Sequence, residues 1–170
     1  MPSGRCGSGK ESLAPPEPGQ PRRERGKDLS SMAAAAGNIE AVDEVNRADE
    51  HGRTPLYNAC GNGQVDAARL LLDRGAEVDR ATKKGATPLL IACQEGHVDA
   101  ARLLLERGAE VNLATKHGET PLYIMSRDGQ VDTVRLLLDN GAEIDRATKR
   151  GTTPLFTACK NGHVLSLIHI

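Results

Sequence analysis

The chain has 170 residues with a formal net charge of −1, 26% charged residues, 2% aromatic residues and no Trp. That length fits one domain with a tail, and the near-neutral balance creates no overall field of the kind that marks nucleic-acid or membrane binders. The usual large contributors to a globular core are missing, so Leu, Ala and Val must fill it, which favours stacked small helices.

Residues 1–28 are rich in Pro, Gly, Ser and charge and have no periodic apolar face, the composition of a disordered tail. They lack the apolar core of a secretory leader, and no stretch of the chain approaches the roughly 18 apolar residues of a membrane span. The expected location is cytoplasmic, with the nucleus as the alternative. Within the tail, Gly4 to Lys10 has the spacing of a phosphate-cradling loop. It is rejected because Met1-Pro-Ser offers no preceding strand, and Glu11 stands where a magnesium-binding Ser or Thr is needed. The run from Pro21 to Lys27, with Arg22, Arg23 and Arg25, is read as solvated charge rather than an import signal.

Residues 29–164 read as one repeat domain. Thr-Pro-Leu begins at Thr54, Thr87, Thr120 and Thr153, a period of 33 residues. Complete units span 52–84, 85–117 and 118–150, and a further unit, 151–164, is cut short. The first unit, about 29–51, is also shortened, and Ser31 to Ala36 with Ile39 to Val45 is expected to form a frayed cap. Residues 165–170 are almost wholly apolar and unlike their siblings, and are read as an aberrant end.

Each complete unit carries its own folding signals. Thr54 is suited to cap a helix whose first turn holds Pro55, and Leu56, Ala59 and Cys60 fall at i, i+3 and i+4 on one apolar stripe. Gly63 ends this helix A. Val65, Ala68, Leu71 and Leu72 restart the helical period in a helix B, closed by Gly75 in a left-handed conformation. The following Glu77 to Gly85 is too short and polar for a helix and reads as a hairpin-like connector. Such a helical pair cannot bury both faces alone, so the units must stack and share one elongated core.

Chemistry-bearing residues are sparse. Cys60, Cys93 and Cys159 occupy one repeated position, and Cys6 lies in the tail. Stacked helices lie about 8–10 Å apart, beyond the Cα separation of about 7 Å that a disulfide tolerates, so the cysteines are read as small apolar fillers. His51 and His117 fall at connector tips and His97 and His163 at the start of helix B, with no metal or triad spacing. Asp66, Asp99 and Asp132 recur near helix-B N-termini, where they favour the macrodipole. Repeated carboxylates in equivalent environments cannot divide acid and base roles. No catalytic site, metal site or cofactor is therefore expected.

The pattern Gly-x-Thr-Pro-Leu-x-x-Ala, then Gly-Gln/His-Val-Asp, then Leu-Leu-Leu-x-x-Gly-Ala-Glu-Val-Asp/Asn resembles the ankyrin repeat from roughly Met32 to Val164. The family's usual His after Thr-Pro-Leu is replaced by Tyr57, Leu90, Tyr123 and Phe156. The resemblance implies an all-α solenoid of helix-turn-helix units joined by hairpin-like loops, a monomer acting as a non-catalytic scaffold for protein–protein interaction. The alternative is a targeting module of a larger enzyme, such as a kinase or ubiquitin ligase, with its catalytic domain beyond Ile170.

In ankyrin proteins the hairpin tips and the helix-A surface form the binding face, and variation among the present units concentrates there. The resemblance therefore points to His51, Lys83, Lys84, Lys116, His117, Lys149 and Arg150 at the tips. It adds Arg53, Glu119 and Thr152 after the first Gly of each unit, and Asn62, Gln94, Glu95, Arg127 and Asp128 at the end of helix A. The pairs Lys83-Lys84, Lys116-His117 and Lys149-Arg150 recur one unit apart and should align into a basic edge that steers a partner with an acidic surface. Nucleic acid is not the expected ligand, because no aromatic platform or groove-entering helix accompanies the charges. Finally, Asn112 and Leu104 resemble the ankyrin motif modified by asparagine hydroxylases, although a turn-forming role accounts for Asn112 as well.

Overall fold

A computed structural model describes residues 42–163. The expected disordered tail, most of the frayed cap and the apolar end from 165 to 170 lie outside the described residues. The elements in chain order are α1 (Val42–Val45), α2 (Pro55–Gly61), α3 (Val65–Asp73), α4 (Pro88–Gln94), α5 (Val98–Glu106), α6 (Pro121–Asp128), α7 (Val131–Asp139) and α8 (Pro154–Lys160). No strand occurs among the described residues, and none of their helices is long and apolar enough to cross a membrane. The architecture is the all-α repeat solenoid expected from the sequence.

Helix A of each unit starts where the sequence places its cap. The Thr54 hydroxyl accepts the N–H of Tyr57 at 3.1 Å, and Thr87, Thr120 and Thr153 do the same for Leu90, Tyr123 and Phe156 at 3.2, 3.2 and 3.3 Å. Each cap satisfies one of the orphan donors of a helix start and stabilises it by about 1 kcal/mol. Such short helices would not persist alone. Their stability comes from stacking, with α2 against α4, α4 against α6 and α6 against α8, while α3, α5 and α7 form the parallel outer layer.

The shared core runs along the stack between the two layers. Leu56, Leu89 and Leu122 at one position of helix A, and Leu71, Leu104 and Leu137 at one position of helix B, are all 0% exposed. Their sibling Leu155, in the last described helix A, is 43% exposed, and Phe156 beside it is 57% exposed. In α6 the repeated Ala-Cys becomes Met125-Ser126, and both residues are fully buried.

Cys60 and Cys93 are buried and unpaired, as the filler reading requires. Burial pushes both thiols up to about 12, so they are neutral at physiological pH. Cys159 departs from that reading. It is exposed, as are Leu155 and Phe156 in the same helix.

The connectors are turns rather than paired strands. In the first complete unit the N–H of Thr82 donates to Ala86 O at 2.9 Å and that of Gly85 to Thr82 O at 2.8 Å, closing a tight loop. Adjacent tips are joined directly: the N–H groups of Lys83, Lys116 and Lys149 donate to the carbonyls of His51, Lys84 and His117 at 3.0, 3.2 and 3.1 Å. This approach explains Gly85 twice over. Its φ of +84° is left-handed, and a Cβ there would lie 2.9 Å from the Lys116 nitrogen.

Candidate partner-binding surface

The tip-to-tip hydrogen bonds set the basic pairs side by side along one edge of the stack. Lys83, Lys84, Lys116, His117, Lys149 and Arg150 are all exposed there, as is His51 on the tip before them. His51, Arg53, Thr82, Lys83 and Lys84 surround one hollow of about 470 Å³. His117, Glu119, Tyr123, Thr148, Lys149 and Arg150 surround another of about 220 Å³.

The position after each unit's first Gly is less free than sequence variation suggests. Arg53, Ala86, Glu119 and Thr152 are all half-buried. Arg53 is engaged by Asp49 through a 2.7 Å Nε to Oδ2 contact. The Thr152 hydroxyl lies 2.7 Å from that of Thr148 and donates to the Tyr123 phenol oxygen at 3.3 Å. This last contact joins neighbouring units from the position where the family's usual His is replaced. Hydrogen bonds from Thr152 and Thr157 hold the Tyr123 phenol below its ordinary value, whereas burial raises that of Tyr57. The Tyr123 phenol thus serves as a hydrogen-bonding wall of the tip hollow.

The ends of helix A carry the other candidates. Asn62, Gln94, Glu95 and Asp128 are exposed, and Arg127 is half-buried. Asn62 and Glu95 cap α2 and α4 through their backbone N–H groups. Arg127 pairs with its neighbour Asp128, Nε to Oδ1 at 2.8 Å, and the hydrogen bonds to Asp128 raise the guanidinium pKa further. These residues do not line either tip hollow.

Asn112 has a structural task. Its Nδ2 donates to Gly141 O at 3.3 Å and its Oδ1 accepts the N–H of Glu143 at 2.9 Å, so the amide clamps the next unit's helix-B terminus. Asn46 makes the same two bonds to Gly75 and Glu77 at 3.2 and 2.8 Å. At the intervening position Asp79 accepts from the N–H of Glu110 at 3.2 Å, and a carboxylate has no N–H to offer the Gly108 carbonyl. Reading Asn112 as a local turn residue missed this clamp. Its signal in the sequence is the strict recurrence of Asn or Asp at Asn46, Asp79, Asn112 and Asp145, one per period.

The histidines at helix-B starts also join units. A Cβ on Gly63 or Gly129 would fall 2.6 or 2.7 Å from the His97 or His163 ring, so each imidazole lies over the turn of the preceding unit. Among the described residues no group of His, Cys, Asp and Glu is arranged to hold a metal ion. The surface thus offers exposed charge and hydrogen-bonding groups on a rigid frame, the chemistry of recognition.

The helical frame and the 33-residue period agree with the comparison to known families. A family model described as ankyrin repeats in three copies matches residues 30–115 and again 108–169. Its members are generally protein–protein interaction modules, and the chain belongs to the ankyrin-repeat family.

Proposed function

We propose that this chain is a non-catalytic scaffold that binds a protein partner across its tips and helix-A ends, favouring a partner with an acidic surface. One observation carries the reading. The capping threonines and the core leucines, which the stack consumes, do not vary between the complete units, whereas the varying residues Lys84, His117, Arg150, Gln94 and Glu95 are exposed. Residues free of packing duty on a rigid surface can differ from unit to unit without cost to the fold, which is what recognition of a particular partner needs. The neutral, buried Cys60 and Cys93 suit a reducing cytoplasmic or nuclear setting.

The test is photo-crosslinking in cells from a reactive side chain placed at Lys84 or Glu95, compared with Arg102 or Asp132 on the exposed side of helix B. Crosslinked partners are expected from the first two positions and not from the second two. Equal yields from both sides, or yields confined to helix B, would refute the reading. Hydroxylation of Asn112 enters this proposal as a modification of the inter-unit clamp rather than of the binding face. Mass spectrometry of the Asn112 peptide after incubation with an asparagine hydroxylase tests it, and an unmodified peptide beside a modified control substrate disposes of it.

A further inference from the structure

The two tip hollows are the same place in the repeat, two units apart. His51, Arg53, Thr82, Lys83 and Lys84 around the first correspond in turn to His117, Glu119, Thr148, Lys149 and Arg150 around the second. Each hollow presents two exposed cationic side chains, Lys83 with Lys84 and Lys149 with Arg150, and exposed Lys116 keeps the edge basic between them. Other charges modulate this pattern: Asp49 occupies Arg53 and exposed Glu50 lies 3.6 Å from His51 at the first hollow, and Glu119 weakens the positive potential of the second.

We propose that this edge reads an extended acidic polypeptide segment whose carboxylate side chains stand six positions apart, one for each hollow. The inference rests on the protein-binding reading above and specifies the partner's chemistry. Stacked helices lie about 8–10 Å apart, so two units separate the hollows by about 16–20 Å. An extended chain rises about 3.3 Å per residue, so about five or six residues bridge that distance. Successive side chains alternate between faces of an extended chain, so only an even separation directs both carboxylates at the edge. Six satisfies both conditions, whereas five meets the distance and fails the direction. The tip-to-tip hydrogen bonds hold the spacing rigid, so a matched ligand gains from double engagement and a mismatched one does not.

Fluorescence anisotropy with labelled synthetic peptides on the full chain tests this. The peptides carry one Glu, or two Glu residues offset by three, five or six positions, at equal net charge for the two-Glu set. The six-residue offset is expected to bind about tenfold more tightly than the five-residue offset and the single-Glu peptide. That preference should vanish in K83E/K84E and in K149E/R150E, with circular dichroism unchanged because these side chains are exposed. Equal affinity across offsets, tighter binding of a single-stranded oligothymidylate than of every peptide, or no measurable peptide binding would each overturn the proposal. Equal affinities that still weaken in the tip variants would leave the tip surface as the binding face. Binding indifferent to the tip variants would remove that reading too.

Discussion

Ser126 shows how one residue can depart from its siblings at a cost. It occupies the position held by Cys60, Cys93 and Cys159, is 0% exposed, and its hydroxyl has no hydrogen-bond partner among the described residues. A buried hydroxyl without a partner costs about 1–3 kcal/mol, whereas a thiol of similar shape is at home in an apolar site. Ser126→Cys is therefore expected to raise stability by about 1 kcal/mol, read as a higher denaturant midpoint at unchanged slope. An unchanged midpoint would mean that the hydroxyl finds a partner after all. Asn112 is the opposite case at the same scale, a polar side chain whose amide is used at both ends. The period marks the clamp position by its recurring Asn or Asp, but only the packing around Ser126 shows that its hydroxyl is a liability.

At the scale of the element, the glycines of each unit fall into two kinds that look alike in the sequence. Gly85 in the connector and Gly108 after helix B have nearly the same left-handed φ, +84° and +85°. A Cβ on Gly108 would meet nothing within 4 Å, whereas one on Gly85 would lie 2.9 Å from the Lys116 nitrogen. Gly108→Ala is expected to cost about 1 kcal/mol, the conformational penalty alone. Gly85→Ala should cost more, about 2–3 kcal/mol, because the adjacent tip must move and the bond from Lys116 to Lys84 weakens with it. Paired urea denaturation curves check the order, and equal losses would show that the tips separate without penalty. Helix existence and caps were legible from Thr-Pro-Leu and the apolar period because both are local signals. The close approach of two connectors was not, since it joins residues of different units.

For the whole molecule, the alignment of the units converts scattered lysines into an edge. Single exposed charges contribute little, but Lys84, Lys116 and Arg150 stand on tips joined in register by backbone hydrogen bonds, and their potentials add along the stack. The triple variant K84E/K116E/R150E is expected to slow association with the native partner about tenfold or more at low salt and to flatten the salt dependence of the rate, with helicity unchanged. Stopped-flow measurements at several ionic strengths check this, and an unaltered rate and slope would show that the edge is only solvated. By itself the sequence determined the fold class, the capping residues and the identity of the core leucines. All of these follow from a repeated local pattern that one unit already contains. Tertiary structure decided which variable residues remain available. It drew Arg53 to Asp49 and Thr152 to Tyr123, tied Asn112 to the next unit, left Cys159 exposed where Cys60 and Cys93 are buried, and opened matching hollows two units apart. The physical reason is that availability belongs to neighbours across the stack, and a one-dimensional period records the spacing of those neighbours but not the contacts they make.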